Sequence, residues 1–482
     1  MLNCVRMHRY LIVSDLHLAD TEEHADGWKD YKHPRHLFDD RMAELLGRFA
    51  ARAQPGDELT FVLNGDIVDF DLVCAVPEAP PWPVSPGERM YGLNPTEAKS
   101  VWKLERVLAH HPILVEALAR YVGAGHRVVY VAGNHDPEMF FPGVQAAWRG
   151  AILARAAELG LAVRDDQLVV EPWFFYVPGE IYAEHGHQYD VYTSLRSVLD
   201  PTVPGPEGPE IALPMGNLSN RRMMSRMGFF NPHASDYILN VFRYVAHWFR
   251  HYAFSRRSLV LPWFFGSLST VAALLTTKGR QQRHRLDYRA LLAAQAERGH
   301  MPLPEVKVIN RLRRLPIAGR LYRVIREFWL DRLAIAVLMT GGTIALALVP
   351  IPLWIKLMVP LSSFPLVYFV YEWFAHGENI FNVEQECHKA ALELGRLLMT
   401  RVVTFGHTHV PGVKPLLPGV SYVNTGTWAA VPDQADRKAL RLGLRNTLLL
   451  EVDGENERLD LESWVEPQAA PTGASRGGRR SL

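Results

Sequence analysis

Cysteine is scarce in this chain of 482 residues. Cys4, Cys74 and Cys387 are odd in number and far apart, which excludes a disulfide framework and a thiolate metal cage. Low-complexity composition is missing as well. Hydrophobic residues make up 48% and charged residues 21%, ordinary globular values that exclude a disordered or collagen-like polymer. No internal repeat is visible. The first ten residues run into an apolar, strand-like segment with no h-region and no small-residue cleavage site, so the expectation is no secretory signal and a catalytic part in a reducing cytoplasm. At roughly 150 residues per domain, the length corresponds to about three domain-equivalents.

Net charge is nearly absent too, at +1, but it hides a segregation. Residues 219–332 hold 21 Lys and Arg against 6 Asp and Glu, which leaves 31 against 45 for the rest of the chain. A basic block of +15 set in a chain otherwise at −14 suggests a module with its own anionic partner, lipid or nucleic acid. A merely solvated basic surface is the plain alternative.

Short apolar runs ending in polar residues at 9–14 (RYLIVS), 59–64 (LTFVLN) and 127–132 (RVVYVA) read as buried strands. Between them, Leu37, Met42, Leu45, Leu46 and Phe49 recur at helical spacing, as do Val101, Leu104, Leu108, Leu114 and Leu118. These predict helices over 35–53 and 96–122. Strand-like segments follow at 161–177 and 180–185, a helix at 383–400, and short strands at 401–405, 421–424, 445–452 and 457–464. Alternating strands and helices indicate an α/β layered sheet. The six prolines of 77–95 predict an irregular loop at the strand ends, and a second proline-rich stretch, 201–214, separates this half from a helical one. The expected organisation is a discontinuous α/β catalytic domain, 1–200 and 380–465, interrupted by a basic, mostly helical insertion, 201–379. A disordered tail is expected at 466–482.

Five polar clusters sit directly after expected strands: Asp15-Leu16-His17, Gly65-Asp66-Ile67-Val68-Asp69, Gly133-Asn134-His135-Asp136, His185-Gly186-His187 and Gly406-His407-Thr408-His409. Imidazoles with carboxylates and one amide suit Mn, Fe, Zn or Ni, whereas an all-oxygen set would favour Mg or Ca. Seven such groups are too many for one tetrahedral ion but suit two ions sharing a carboxylate, the arrangement that clamps a phosphoryl group for in-line displacement. Each cluster alone is weak. Gly-Asn-His-Asp, however, fixes four residues of about 5% frequency each, a chance match on the order of one per hundred thousand positions, and here all five clusters fall at strand ends.

This ordered set resembles the calcineurin-like metallophosphoesterase family over roughly 1–195 and 383–465, leaving the insertion uncovered. The resemblance implies a β-sandwich flanked by helices, with a dinuclear site at the strand ends. It implies that Asp15, His17, Asp66 and His409 bind one metal and that Asn134, His185 and His407 bind the other, with Asp66 bridging. Two divalent ions are implied, with Mn2+ first and Fe or Zn as alternatives. His135 would contact the phosphate and protonate the leaving oxygen, and Asp136 would orient His135. Asp69 would be a hydrogen-bond partner of a ligand, not a ligand. In the fourth cluster the family places the ligand just before a glycine, which selects His185 and leaves His187 as its alternative or assistant. Within the family, enzymes that split UDP-diacylglucosamine carry a helical lid in the same interval as this insertion. They typically have arginine where this chain has His135, a departure that argues for a leaving oxygen needing protonation.

Residues 333–371 contain one charge, Lys356, and 258–277 contain none. Uncharged apolar runs of about 20 residues are membrane-span candidates, the alternative being core helices of a large cap. Both His185, before the insertion, and His407, after it, must reach one metal, so the number of crossings between them must be even. The basic segment 278–332 opposes export, which favours a hairpin or a re-entrant loop at 333–371 and a membrane-associated enzyme with a cytoplasmic catalytic domain. Two basic amphipathic helices flank it. In 236–254, Ile238, Phe242, Val245, Phe249 and Tyr252 share a face, and in 308–330 Leu312, Leu315, Leu321, Ile325 and Trp329 oppose many arginines. Such helices belong at an anionic membrane surface. Nucleic acid could use the same arginines but does not explain the uncharged run. The substrate is then a phosphorylated molecule, lipid-linked or soluble.

Overall fold

A computed structural model describes residues 7–54, 57–232, 241–375, 382–429, 445–454 and 456–464. The expected tail at 466–482 and residues 236–240 of the expected helix at 236–254 lie outside the described residues.

The catalytic part is built from β1 (His8–Val13), β2 (Leu59–Asn64), β3 (Arg127–Val131), β4 (Leu168–Glu171), β5 (Phe174–Val177) and β6 (Ile181–Glu184). After the hairpin of β7 (Thr202–Gly205) and β8 (Gly208–Ile211) it resumes with β9 (Val402–Phe405), β10 (Gly412–Leu417), β11 (Val420–Asn424), β12 (Asn446–Asp453) and β13 (Asn456–Ser463). Six strands form one sheet in the order β13-β12-β1-β2-β3-β4, and five form a second in the order β10-β11-β9-β6-β5. In the first sheet β1, β2, β3 and β4 run parallel; in the second β6, β9 and β11 do. Parallel neighbours need crossovers, and these are supplied by the helices α1 (Asp39–Ala50), α2 (Pro86–Tyr91), α3 (Glu97–His110), α4 (Pro112–Gly123) and α5 (Pro142–Glu158).

The sheets face each other through Ile12, Val62, Val129, Val131, Ile181, Ala183, Val402, Val423 and Leu450. These are mostly β-branched or small side chains that fill a flat interlayer space, at about 1.5–3 kcal/mol for each large one buried. The outer face of the first sheet packs on Met42, Leu46, Leu104, Leu118, Trp148 and Ile152 of the helices. The outer face of the second packs on Cys387, Ala391 and Leu394 of the helix Val383–Leu398. The fold is therefore the helix-flanked β-sandwich expected, interrupted by helices.

The insertion is not loosely appended. Its helices Tyr288–Arg298 and Leu303–Leu312 place Leu292, Ala296, Val306 and Ile309 in the second core. Leu218 of α6 (Met215–Arg222) joins the first core, as do Ile317, Val324 and Phe328. Two helices behave differently. Leu330–Leu348 and Leu353–Ala375 form a hairpin with no part of its most apolar stretches buried.

Three expected helices differ in detail. The 96–122 segment is two helices, because Pro112 starts a new one at a position where its missing N–H costs nothing. The 308–330 segment breaks at Arg313–Pro316 and resumes as Leu321–Glu327. Of 236–254, the described part is the helix Val241–His251. Within the proline-rich 201–214 the chain makes the two-stranded β7–β8 ribbon, which tolerates Pro204 and Pro209 paired with each other.

Candidate metal centre

Five loops leave the carboxyl ends of β1, β2, β3, β6 and β9, carrying Asp15 and His17, then Asp66 and Asp69, then Asn134 to Asp136, then His185, then His407 and His409. These strands are neighbours within their sheets, so their ends converge. Their turns are strained. Asp15, His17, Asp66, His407 and His409 have φ of 53°, 47°, 52°, 64° and 58°, five of the ten non-glycine residues with positive φ among those described. A side chain in that region costs about 1–2 kcal/mol, a cost that clusters where geometry must serve chemistry. Two glycines allow the close approach. A Cβ on Gly65 would lie 2.5 Å from the His185 ring, and one on Gly133 would lie 2.5 Å from the Asp66 backbone nitrogen.

The expected donor atoms form two groups, Asp15 with His17 and His409, and Asp66 with His185 and His407, and a third group joins His17 to Asp69 and His135. In the first, His409 Nε2 is 3.1 Å from Asp15 Oδ1 and 3.3 Å from His17 Nε2. In the second, His185 Nε2 is 3.1 Å from Asp66 Oδ2. Ligands at about 2.0–2.2 Å from one ion stand ~3.0–3.5 Å apart, which is this spacing. Asp66 Oδ2 also lies 3.9 Å from His17 Nε2, so the same oxygen faces both groups. Asn134 is buried, and its Oδ1 has no hydrogen-bond partner among the described residues. The structure thus brings six of the seven expected donors together, with Asn134 in the adjoining β3 loop.

The imidazole tautomers fit a metal as well. His17 Nδ1 donates to Asp69 Oδ2 (3.2 Å), and His185 Nδ1 donates to the Asn64 carbonyl (3.1 Å). His407 Nε2 donates to Asp190 Oδ2 (3.0 Å). In each ring one nitrogen is tied to an acceptor, so the other is left as a lone pair for an ion. The charges agree. Burial alone would raise Asp66, but His185 and His135 hold it well below the usual carboxylate range. Burial likewise opposes charge on His185, yet Asp66 and Asp15 carry it up to about 9. The carboxylates gather positive charge around themselves, and divalent cations supply it with the same donors. His187 is not in either group; its Nε2 meets the Gln188 amide at 2.6 Å.

His135 lies beside the first group, its ring centroid 4.9 Å from that of His17. Its orienting carboxylate differs from the expectation. Asp69 Oδ2 is 3.1 Å from His135 Nδ1 and Asp71 Oδ2 is 3.5 Å away. Asp136 instead accepts from the Ile67 and Gly133 amides and the Tyr130 hydroxyl at 2.7, 2.5 and 2.6 Å. Its carboxylate turns back into the joint between the β2 and β3 loops and braces both. Burial opposes a charged His135, but Asp69 and Asp66 raise it well above the ordinary histidine range.

Three supporting residues were not singled out from the sequence. Asp190 holds His407, and Asp71 flanks His135. Asn217, in the insertion, donates to Asp71 Oδ2 (2.6 Å) and to the Asn134 carbonyl (2.7 Å). Asp71 and Asp190 each follow a named cluster by a few residues, which was the available signal. Asn217 carried none.

The model of the calcineurin-like phosphoesterase family matches residues 8–253, about half of the chain. That span takes in Asp15 through His185, and the geometry joins His407 and His409 to it. No curated protein matches the chain.

Proposed function

The chain belongs to the calcineurin-like phosphoesterase family, and on that premise we propose that it is a membrane-associated hydrolase cleaving a phosphoester or phosphoanhydride bond in a lipid-linked substrate. Metal-dependent phosphoester hydrolysis follows from the family and from the clustered His and Asp donors. Two divalent ions, held by Asp15, His17, Asp66 and His409 and by Asn134, His185 and His407 with Asp66 shared, would supply Lewis-acid charge to the phosphoryl group and activate water. The donor set suits Mn2+, with Fe or Zn as alternatives. The chain's own part is positional. Asp69 holds His135 by Nδ1, which leaves Nε2 to give a proton to the departing oxygen. Asp190 and Asp69 keep His407 and His17 in the ligating tautomer.

One observation carries the membrane and lipid reading. The loop of Asp190, the residue that holds His407, is tied to the segment that leads into the apolar hairpin: the Arg314 amide donates to the Gln188 carbonyl and the Ile317 amide to the Val191 carbonyl, both at 2.8 Å. Helix Leu321–Glu327 and then the hairpin follow directly. Trp329, Trp373 and Phe374 at the hairpin's base and Trp354 near its tip are exposed, aromatic at both ends as at the two faces of a bilayer. The test is a rate comparison. Detergent-purified, Mn2+-loaded protein should hydrolyse a lipid-linked phosphate in mixed micelles faster than a water-soluble ester with the same leaving group. Equal rates would leave the phosphoesterase chemistry standing and remove the lipid substrate.

A further inference from the structure

Helix Val260–Arg283 is long and apolar enough to cross a membrane, yet one face of it is built into the protein. Gly266, Ser267, Thr270 and Leu274 are buried, and a Cβ on Gly266 would fall 2.9 Å from the Arg222 carbonyl oxygen. Arg222 donates to the Ser269 carbonyl at 3.3 Å, and Arg280 pairs with Glu210 of β8 at 2.5 Å. The element beneath it is α6, which carries Asn217 to the metal centre. A helix fastened along this seam cannot also span a bilayer. Crossing would strip Gly266, Ser267 and Thr270 from this seam and from Arg222 and α6 beneath it.

Its other face is bare. Val260, Leu261 and Phe265 are exposed, Phe249 precedes them at the end of Val241–His251, and Phe254 is 93% exposed. Residues 241–277 hold four arginines and no acid. Of these, Arg257 is occupied by Asp26 and Trp28, while Arg250 and Arg256 are exposed. At its far end the helix meets the segment that leads into the hairpin, where Lys278 donates to the Gly319 carbonyl at 3.2 Å. The bare face therefore carries exposed positive charge at Arg250 and Arg256, and its helix ends beside the segment that leads into the hairpin.

Resting on the membrane reading above, we propose that Phe249, Phe254, Leu261 and Phe265 form an in-plane docking face for an anionic bilayer, with Arg250 and Arg256 at the lipid phosphates. Aromatic rings would sit at the acyl boundary, about 5–10 Å deep, as basic amphipathic helices do. The helix would lie on the membrane beside the hairpin and would not add a third span.

The test uses the full-length protein in vesicles of phosphatidylglycerol and phosphatidylcholine, with an environment-sensitive fluorescent amino acid at position 254 or 265. Nitroxide lipids labelled at a shallow acyl position should remove roughly half or more of the emission, while deep labels remove less. A probe at exposed Glu158 should be unaffected. The double variant Arg250→Glu, Arg256→Glu should reduce the shallow quenching at 254 in anionic vesicles. Stronger quenching by deep labels would mean a crossing helix and overturn the proposal. A probe at Leu357 in the hairpin separates the two readings: quenching there but not at 254 or 265 sinks this docking face alone, and quenching at neither sinks the membrane reading as well. A concentration-dependent change in detergent without lipid would assign the face to a second copy of the chain, against the proposal.

Discussion

Asp66 is where the two halves of the centre meet, with one oxygen 3.1 Å from His185 Nε2 and 3.9 Å from His17 Nε2. Its other oxygen accepts from the His135 amide at 2.7 Å. Removing its charge should therefore empty both positions, not one. Asp66→Asn is expected to purify with neither metal and to lose about two orders of magnitude or more in rate; elemental analysis finding both ions retained would contradict the shared-carboxylate arrangement. The acid role divides differently. His135→Ala should keep both ions yet lose ~10²–10⁴ in rate on substrates with poor leaving groups, and the loss should shrink for an activated aryl ester. Asp69→Asn should show the same leaving-group dependence, since Asp69 is the carboxylate at His135 Nδ1. Asp136→Asn should not, because its oxygens brace backbone amides; a leaving-group dependence in that variant would restore it as the orienting residue. The candidate ligands were legible because each sits in a short polar cluster after an apolar run. The direction of Asp136 was not, because adjacent residues in a turn can send their side chains opposite ways. Asn217 was illegible for another reason: it reaches the centre from 83 residues beyond Asn134, through packing that no local pattern records.

Strand ends carry this centre, and the sequence shows the elements around them only in part. The strands themselves were readable from runs such as LTFVLN, and the helices from 3.6-residue spacing, but breaks at Pro112 and Pro316 were missed where apolar spacing continued across the proline. The β7–β8 ribbon was missed because proline usually argues against a strand, and only a two-stranded edge excuses it. Glu171, the last residue of edge strand β4, gives a test at this scale. It pairs with Val131 in register, just before the β3 loop, and its Oε2 is buried without a hydrogen-bond partner among the described residues. Burial raises its carboxyl to about 7, with Arg298 and Arg127 pulling the other way. A carboxyl that is neutral when folded and ionised when unfolded weakens the fold as pH rises from about 4.5 toward 7, and the loss is complete above that. Glu171→Gln should therefore raise the Tm relative to the parent at pH 8 and not at pH 4.5. Equal shifts at both values would show that the carboxyl's charge is not what limits this edge.

At the scale of the whole molecule, one core-building insertion carries an apolar hairpin of which, among the described residues, only Leu330 at its start packs against a core. Its arms, Leu330–Leu348 and Leu353–Ala375, have 19 and 23 residues, ~28 and ~35 Å at 1.5 Å per residue, against a hydrocarbon thickness of ~30 Å. Its ends are clamped together. Arg332 pairs with Glu372 at 2.7 Å, the Tyr368 hydroxyl donates to the Arg332 carbonyl at 2.9 Å, and the Tyr371 hydroxyl meets Asp331. The run of uncharged residues announced this element in the sequence; the clamp, made of Asp331, Arg332 and Glu372 just outside the run and two tyrosines at its end, did not announce itself. Because the two ends already lie side by side, 333–371 can be replaced by a short polar linker without moving Ile317, Val324 or Phe328 from the first core. Such a variant should keep both metals and its rate on a soluble aryl ester. It should also change its attachment: the parent protein should resist extraction of membranes with alkaline carbonate, whereas the variant, left with only the basic in-plane face, should be released by high salt, which screens its arginines from anionic lipid. Fractionation followed by metal analysis reads both properties on one preparation. A variant that stayed in the membrane through carbonate would show that another segment spans the bilayer, and a soluble variant without metals would show that the hairpin helps hold the centre together.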